Sequence, residues 1–388
     1  MPTVKATPEI RFKGFSGDWE QRKVTELGEI YIGLVTTMTK HYVSKGTLLI
    51  RNSDIKDGKF EFSNNPIYLD NLFAQTNESR RHKIGDIITV HTGDIGTSAI
   101  ITSNEVNSLG FATIVTRPNV QRITSNYLCT FLNTDKHKQW ARAVSTGDGR
   151  TNYNLGDYYE LIVPVPSIKE QIKIASVIQN FNNLITFHQY KCDALKEIKK
   201  SLLAKMFPAN GESVPAIRFK GFTDDWEQRK LCNLISINSG KDYKHLNTGN
   251  IPVYGTGGYM LSVDEALSKH EDAIGLGRKG TIDKPYVLEA PFWTVDTLFY
   301  CIPLPYVSLN FMNCVFHSID WKSKDESTGV PSLSKIAIGN TETRIPEINE
   351  QIQIGSVFDK IDNLITLHQR KCDMLKEIKQ TLLEKMFV

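Results

Sequence analysis

The sequence lacks the features that mark membrane, secreted and disulfide-bonded proteins. No apolar run approaches the length of a membrane span, and no apolar signal segment lies near the first methionine. The six cysteines show neither CxxC nor disulfide-like spacing, so they are expected to be reduced thiols. Together these absences predict a cytoplasmic protein.

Motifs of enzyme chemistry are missing as well. The sequence contains neither the Asn/Asp-Pro-Pro-aromatic motif of an amino-methyltransferase nor the GxxxxGK[ST] loop of an ATPase. Residues 275–280 (GLGRKG) fit the GxGxxG pattern of a dinucleotide loop, but Pro285 and its β-branched neighbours cannot open the helix that such a loop needs. The pattern instead predicts a tight turn that presents Arg278 and Lys279. We expect the chain to be non-catalytic.

The charge balance says little about partners. The formal net charge of +3 on 388 residues is only mildly basic. It permits nucleic-acid binding without arguing for it, because the charges could be spread evenly. The length is sufficient for two domains, each with its own core.

What the sequence does have is an internal duplication. Residues 8–23 return as residues 215–230 with 13 of 16 positions identical. Residues 170–207 return as residues 350–387 with 25 of 38 positions identical. These repeats form a frame around two inserts.

The two inserts do not resemble each other. Residues 24–169 and 231–349 show no comparable sequence match, and the second insert is 27 residues shorter than the first. One frame around two unlike inserts predicts a scaffold with two binding specificities. An enzyme with one active site has little use for such a layout.

Each repeat of residues 170–207 and 350–387 predicts one long helix with a coiled-coil seam. Apolar residues, with histidine and cysteine at two positions of each helix, recur at steps of four and three along the seam. Pro208 ends the first helix. Each helix would be about 55 Å long. Because the two seams match, the helices are expected to pair with each other, antiparallel and with pseudo-twofold symmetry. The seam positions are Ile174, Ile178, Phe181, Ile185, His188, Cys192, Leu195 and Leu202 in one helix, and Ile354, Phe358, Ile361, Ile365, His368, Cys372, Leu375 and Leu382 in the other.

Two chemical interpretations compete along these helices. The pairs His188/Cys192 and His368/Cys372 lie mid-helix and could together hold a tetrahedral zinc ion, or they simply fill seam positions. No second shell orders such a site, so no metal is predicted. Residues 197–199 and 377–379 match the ExK end of a nuclease site, but on a coiled coil they are expected to form a solvated face.

The inserts alternate short β-like runs with turns, which is typical of α+β domains. The clearest helical patterns are residues 126–140 and their expected counterpart, residues 307–316. The predicted strands are residues 47–50, 53–58, 86–90, 99–102 and 112–116 in the first insert, and residues 251–254, 273–276, 286–288, 292–295 and 297–302 in the second.

Polar, glycine-rich stretches between these strands are the candidate recognition sites. Arginine and lysine reach guanine and phosphates, asparagine reaches adenine, and glycine lets the backbone approach a phosphate. The alternative is that such loops are only solvated. The candidates are Arg51, Asn52, Arg80, Arg81, Lys83, His91, Thr92, Arg150 and Asn152 in the first insert, and Lys241, Tyr243, Lys244, Tyr254, Thr256, Arg278, Lys279, Lys322 and Lys324 in the second.

The whole layout resembles the specificity (S) subunit of type I restriction–modification systems. The resemblance covers almost the full chain and rests on repeated motifs: F-K-G-F-x-x-D-W-E-Q-R-K at the start of each half, S-T-G…P-x-I-x-E-Q-I before each long helix, and L-K-E-I-K-x-x-L-L-x-K-M-F at its end. The second insert adds I-P-V-Y-G-T-G-G and R-K-G-T. One minor departure is that Pro164 and Pro166 precede the first helix, whereas Pro346 stands alone before the second.

This resemblance implies a function. Each insert would be a target recognition domain for one half of a bipartite, asymmetric DNA sequence, and the coiled coil would set the spacer and dock two methyltransferase subunits. S-adenosylmethionine, ATP and Mg would belong to partner subunits, which include two restriction–translocation subunits. The rival interpretation is a structural adaptor whose two domains bind proteins across a coiled-coil spacer.

The expected fold class is therefore α+β, with two recognition domains separated by an antiparallel pair of long helices. The expected boundaries are a tail at residues 1–9, domains at 10–166 and 217–346, helices at 167–207 and 347–388, and a linker at 208–216.

Overall fold

The structure of the protein is a computed structural model that describes residues 7–145, 152–209 and 211–387. All six cysteines lie in these ranges and none of them is in a disulfide, as their spacing predicted. Within the same ranges, no helix is both long and apolar enough to cross a membrane.

The chain folds into two compact units. The first unit contains Met1–Phe187 and Lys371–Val388, and the second contains His188–Arg370. Both combine helices with sheets, which confirms the α+β prediction. Each long helix contributes one part to each unit, so both units contain a pair of helical segments.

The first unit is built on a four-stranded antiparallel sheet, here called the main sheet, with the order β2-β11-β8-β9. A second sheet has the order β10-β4-β7-β3, and two strand pairs, β1-β12 and β5-β6, complete the pairing. The strands are β1 (Glu20–Lys23), β2 (Gly28–Ile32), β3 (Tyr42–Val43), β4 (Thr47–Arg51), β5 (Ile55–Lys56), β6 (Lys59–Phe60), β7 (Tyr68–Leu69), β8 (Ile87–Thr89), β9 (Ser98–Ile100), β10 (Leu109–Phe111), β11 (Ile114–Pro118) and β12 (Ile162–Val165).

The helices of the first unit are α1 (Asn71–Thr76), α2 (Ser125–Leu132), α3 (Asp135–Val144), α4 (Leu155–Tyr159), the beginning of α5 (Ile168–Met206) and the end of the second long helix. They contribute side chains to its hydrophobic clusters. The single helix predicted at residues 126–140 is two helices. Thr134 separates them, because its hydroxyl donates to the Phe131 carbonyl at 2.7 Å and accepts from the His137 amide at 3.2 Å, which caps α3.

The second unit repeats the main sheet with the order β14-β20-β17-β18, and its further sheet has three strands in the order β16-β15-β19. The elements are β13 (Glu227–Lys230), β14 (Ile235–Ser239), β15 (Thr248–Gly255), β16 (Gly258–Val263), β17 (Ala273–Gly277), β18 (Tyr286–Leu288), β19 (Trp293–Thr294), β20 (Leu298–Pro303), α6 (Leu309–Ser318), α7 (Lys335–Asn340), β21 (Glu342–Ile345) and α8 (Ile348–Met386).

The inserts therefore share a main sheet although their sequences do not match. Any apolar residue that keeps the two-residue alternation can occupy a core position, so the topology survives when the side chains change. The inserts differ in the β5-β6 hairpin and in helix α3, which the second unit lacks among its described residues.

The repeated frame makes the same buried contacts in both units. Arg11 donates two hydrogen bonds of 2.8 and 2.9 Å to the carboxylate of Glu170. Arg218 donates two hydrogen bonds of 2.8 Å to the carboxylate of Glu350. Both glutamates are fully buried. The arginine of the opening motif is thus tied to the first turn of each long helix.

The glutamine beside each of these glutamates has a matching role. Gln171 donates to the Pro166 carbonyl at 2.9 Å and accepts from the Thr124 amide at 2.8 Å. Gln351 donates to the Pro346 carbonyl at 2.9 Å and accepts from the Ser308 amide at 3.1 Å. Thr124 and Ser308 are the N-caps of α2 and α6. The repeated E-Q motif therefore joins each long helix to a domain.

The long helices pair through the predicted seam, and every predicted seam position is buried or half-buried. In the second unit the Nδ1 atoms of His188 and His368 lie 2.8 Å apart, and Lys199 Nζ lies 2.6 Å from Asp362. Residue numbers rise along one helix as they fall along the other, so this pair is antiparallel. Helices α5 and α8 each span 39 residues and start at Ile168 and Ile348, two residues before the repeated segments 170–207 and 350–387.

The zinc interpretation gains no support from this geometry. Cys192 Sγ faces the Ile365 carbonyl at 4.0 Å in the second unit, and Cys372 Sγ faces the Ile185 carbonyl at 3.9 Å in the first. In the part of the chain that the structure describes, no group of three or more His, Cys, Asp or Glu side chains is arranged to hold a metal ion.

Candidate nucleic-acid interface

Several of the recognition candidates lie where strands of the main sheet begin or end. In the first unit β11 runs antiparallel to both β2 and β8, with Ile114 opposite Ile32 and Thr89. The segments that follow β2 and β8 and the segment that precedes β11 therefore meet at one edge. We call it the loop edge. It comprises residues 33–34, 90–97, 110–113 and 152–153 in the first unit, and residues 240–241, 278–285, 294–297 and 331–333 in the second.

Asn52 ties the loop edge of the first unit together. Its side-chain NH₂ donates to the Ala112 carbonyl at 3.0 Å, and its Oδ1 accepts from the His91 amide at 2.8 Å. Ala112, whose carbonyl accepts this bond, has a φ of 48°, which is uncommon for a residue other than glycine. Asn52 is therefore a positioning residue of the edge.

A chain of polar side chains lies beside it. His91 Nδ1 is 2.8 Å from Thr92 Oγ1, and the Thr92 hydroxyl donates to Asn152 Oδ1 at 2.8 Å. The backbones of Thr92 and Asn152 form a β-bridge, and the Tyr153 amide donates to the His91 carbonyl at 2.9 Å. Burial lowers the pKa of His91 below its ordinary value of 6.5, which favours the neutral ring at pH 7. The candidate Arg150 lies outside the described residues.

The second unit has the same backbone arrangement with different side chains. Lys279 forms a β-bridge with Ser332, and the Leu333 amide donates to the Arg278 carbonyl at 2.9 Å. Gly280 has a φ of 91°, and the chain bends at Arg278 and Gly280, on either side of the bridge at Lys279. Gly277 belongs to β17, where a Cβ would lie 2.0 Å from the Thr281 carbonyl oxygen. His91-Thr92 and Arg278-Lys279 thus occupy equivalent positions after the third strand of the sheet order.

Arg278 and Lys279 are both exposed. The guanidinium of Arg278 lies 5.8 Å from the ring centroid of Phe299, and its Nη1 is 3.4 Å from the Asp296 carbonyl. Among the described residues, Arg278 contacts this carbonyl and this ring and forms no ion pair with a carboxylate, so most of its five donors can meet a ligand. Phe299 is a support for Arg278 that sequence reasoning missed, and no local pattern singles it out.

Further candidates meet the loop edge of the second unit through its backbone. The Lys241 amide donates to the Thr294 carbonyl at 2.9 Å, and the Val295 amide donates to the Tyr254 carbonyl at 3.0 Å. Thr256 follows in the turn between β15 and β16, Tyr243 packs against the core of that sheet, and Lys244 is exposed. The candidates Lys322 and Lys324 lie in one short helical turn, Trp321–Lys324.

Of that pair, Lys322 binds Asp283 of the loop edge at 2.7 Å, and Lys324 is exposed. The next residue, Asp325, accepts hydrogen bonds from the amides of Ser327 at 3.0 Å and Ser332 at 2.9 Å. It thereby holds the S-T-G segment beside Lys279. Sequence reasoning missed Asp325 and Ser332, although the repeated S-T-G turn pointed to their neighbourhood.

The arginines of the first insert are mostly engaged inside the protein. Asp54 binds Arg51 through contacts of 3.0 and 2.8 Å. Arg81 pairs with Glu78 at 2.5 Å. Arg80 stacks on Tyr31, 5.4 Å from its ring centroid.

Two of the candidates lie away from the loop edge. The Lys83 amide binds Asp86 at 2.8 Å, and the Arg81 carbonyl accepts from Arg117 at 3.3 Å. Asp86 precedes β8 and Arg117 lies near the end of β11, so Arg81 and Lys83 belong to the opposite edge of the main sheet. The structure brings Asn52, His91, Thr92 and Asn152 together and leaves these two apart.

The chain thus folds into two α+β units, each with its own loop edge. Residues 16–197 and 223–377 match the family described as type I restriction modification DNA specificity domain. The match covers most of the sequence, and the chain belongs to this family of type I restriction–modification specificity subunits.

Individual relatives are distant. Over 225 residues the chain is 26% identical to the MjaX specificity subunit, named for a type I restriction enzyme of Methanocaldococcus jannaschii. That alignment covers 56% of this chain and 52% of the relative, so it spans about half of the relative's length.

Solved structures share the fold over nearly the whole chain. The crystal structure of the type I restriction–modification S subunit from M. genitalium matches with a TM-score of 0.75 at 17% identity, over 98% of this chain and 99% of that one. A chain from a structure on complex assembly and conformational transition of the type I R-M system matches with a TM-score of 0.51 at 15% identity, over 95% and 97%. At these identities the likeness establishes the fold.

Proposed function

We propose that this chain is the non-catalytic DNA-recognition subunit of a type I restriction–modification complex. Each domain, at residues 10–166 and 217–346, recognises one half of a bipartite, asymmetric DNA sequence. The helices at residues 167–207 and 347–388 set the spacer between the halves. Residues 1–9 form the tail, and residues 208–216 form the linker between the first helix and the second domain.

One observation carries this proposal: equivalent loop edges present unlike side chains. His91 and Thr92 occupy the place that Arg278 and Lys279 occupy in the second unit. The same backbone holding different donors and acceptors is what two unlike half-sites require. The remaining DNA-contact candidates are proposed as contacts to bases or phosphates, including Arg81 and Lys83 at the opposite edge of the main sheet.

The two long helices are proposed to dock two methyltransferase subunits. In the first unit, apolar side chains on one face of α5 are exposed: Ile172 by 55%, Leu184 by 47% and Phe187 by 50%. In the second unit the equivalent residues of α8 are exposed as well: Ile352 by 52%, Leu364 by 44% and Leu367 by 45%. Each unit thus has one copy of what we call the apolar patch, and exposed apolar patches often bind proteins.

Two patches of the same kind suit two identical partners. The partners would carry S-adenosylmethionine, and restriction–translocation subunits would add ATP and Mg chemistry. Leu184→Glu and Leu364→Glu should each reduce the methyltransferase copies that co-purify with this chain from two to one, and the double variant should retain none. Leu72→Glu, on α1 and 76% exposed, is the matched control and should retain both copies.

The rival function is a structural adaptor that binds proteins through both domains. Fluorescence anisotropy with a labelled duplex separates the two functions, with the methyltransferase subunit present and absent. The proposal predicts duplex binding that weakens steeply as salt rises, because phosphate contacts release counterions. Absence of duplex binding at low salt in both preparations would favour the adaptor.

A further inference from the structure

The hydrogen-bond chain at the first loop edge determines where its protons lie. A threonine hydroxyl has one hydrogen, and Thr92 donates it to Asn152 Oδ1 at 2.8 Å. Thr92 Oγ1 can then only accept from His91 Nδ1, which lies 2.8 Å away. The Nδ1–H tautomer of His91 is therefore selected.

That tautomer leaves an acceptor on the other side of the ring. A neutral imidazole carries one N–H, so His91 Nε2 holds a lone pair directed away from Thr92. In the described part of the chain, no hydrogen-bond partner occupies this nitrogen. Burial supports the neutral state, since it lowers the pKa of His91.

Among base edges in the major groove, only adenine and cytosine offer a donor to such an acceptor, through the exocyclic amino groups N6 and N4. Resting on the proposed function, we propose that His91 Nε2 accepts a hydrogen bond from the exocyclic amino group of one base in the first half-site. Thr92 and Asn152 are positioning residues that keep the acceptor in place.

The second unit provides the chemical contrast. At the equivalent place Arg278 carries only donors, and no described carboxylate pairs with it. It suits a base with acceptors in the major groove, such as guanine. The two half-sites are thus distinguished by opposite hydrogen-bond polarity at one structurally equivalent position.

The test uses the full chain with its methyltransferase partner. The methylated motif is first mapped by single-molecule sequencing, and methylation rates are then measured on duplexes in which each position of the first half-site carries A, C, G or T in turn. His91→Phe keeps the ring and removes the acceptor. We expect it to reduce discrimination between amino-bearing and keto-bearing bases at one position by roughly 5- to 150-fold. The second half-site should be unchanged.

Thr92→Val is the second variant, because it keeps the shape of the side chain and removes only the hydroxyl. The imidazole can then adopt either tautomer, so guanine or thymine should become acceptable at the same position. Which amino-bearing base is preferred at that position identifies adenine or cytosine as the natural partner.

The outcomes separate this inference from the proposed function. If both variants keep the wild-type preference at every position while Arg278→Ala relaxes the second half-site, recognition by the domain stands and the role of His91 is overturned. A loss of preference without an amino-versus-keto pattern overturns it as well. If no variant alters methylation and exchange of the whole second insert also has no effect, the proposed function itself fails.

Discussion

Replacing Glu350 with glutamine should destabilise the second unit strongly. The carboxylate is fully buried and accepts two hydrogen bonds of 2.8 Å from Arg218, whose side chain is 14% exposed. Glutamine has the same shape but no charge, so the substitution leaves a nearly buried guanidinium without its counter-ion. Breaking a buried ion pair in this way costs about 3–5 kcal/mol, and the remaining amide oxygen should keep the loss near the lower end, about 3 kcal/mol.

The loss should be visible as a shift in Tm of roughly 6–12 °C, since each kcal/mol moves a unit of this size by about 2–4 °C. Differential scanning calorimetry of the full chain is the assay, with the transition of each unit followed separately. The matched control is Glu227→Gln, whose partner Arg229 lies 2.6 Å away in a pair that is 66% and 50% exposed. That change should cost no more than about 1 kcal/mol.

The equivalent substitution Glu170→Gln should lower the other transition by a similar amount, because Arg11 holds Glu170 with the same geometry. Equal Tm values for the Glu350 and Glu227 variants would refute the view that this ion pair locks the repeated frame. None of the three changes should alter the methylated DNA motif.

Three further predictions concern binding. Arg278→Ala should weaken specific binding by about 1–3 kcal/mol and relax one position if the guanidinium contacts a base, or lower the salt slope by about one unit if it contacts a phosphate; unchanged anisotropy at every salt concentration would place Arg278 off the DNA. Inserting four residues after Leu195 and four after Ile361 should lengthen the paired helices by about 6 Å and the mapped spacer by one or two base pairs, at roughly 3.4 Å each; an unchanged spacer in an active complex would show that the helices do not set it. Specific binding should be constant from pH 8 down to about 6.5 and fall at lower pH, because protonation of His91, whose pKa is lowered from 6.5, removes its acceptor; His91→Phe should lack this acid-side fall, and an identical fall in that variant would assign it to another group.

The features predictable from sequence are those with local or repeated signals. The long helices follow from the seam period, and strand β18 at Tyr286–Leu288 was predicted with its observed bounds. The conflict between GxGxxG and Pro285 predicts that no helix follows residues 275–280, and the described residues 281–285 contain none. Each of these features depends on residues that are close in sequence.

The remaining features depend on contacts between distant residues. All four residues of strand β1 are exposed, so its sequence has no alternation of buried and exposed side chains. It is a strand because it pairs with β12, more than a hundred residues later. Helices α2 and α3 separate because Thr134 competes for backbone groups, which period alone does not reveal. Strands β2 and β14, absent from the predicted set, are likewise specified by their partners in the main sheet.

The candidate site shows the same division. Residue type singled out Arg51 and Asn52 as well as His91 and Arg278. Only the fold shows that Arg51 is paired with Asp54 and that the Asn52 side chain donates to a backbone carbonyl. A donor that is satisfied internally and a donor that is available to DNA look alike in sequence. Their partners distinguish them.

Exchange of the second insert tests the central claim most directly. Residues 231–349 are replaced by the corresponding insert of a related specificity subunit, and the adenine-methylation motif is mapped in cells that supply the methyltransferase. Two independent recognition domains predict that one half of the motif changes while the other half and the spacer stay the same. A motif that changes in both halves, or in neither, would contradict the account.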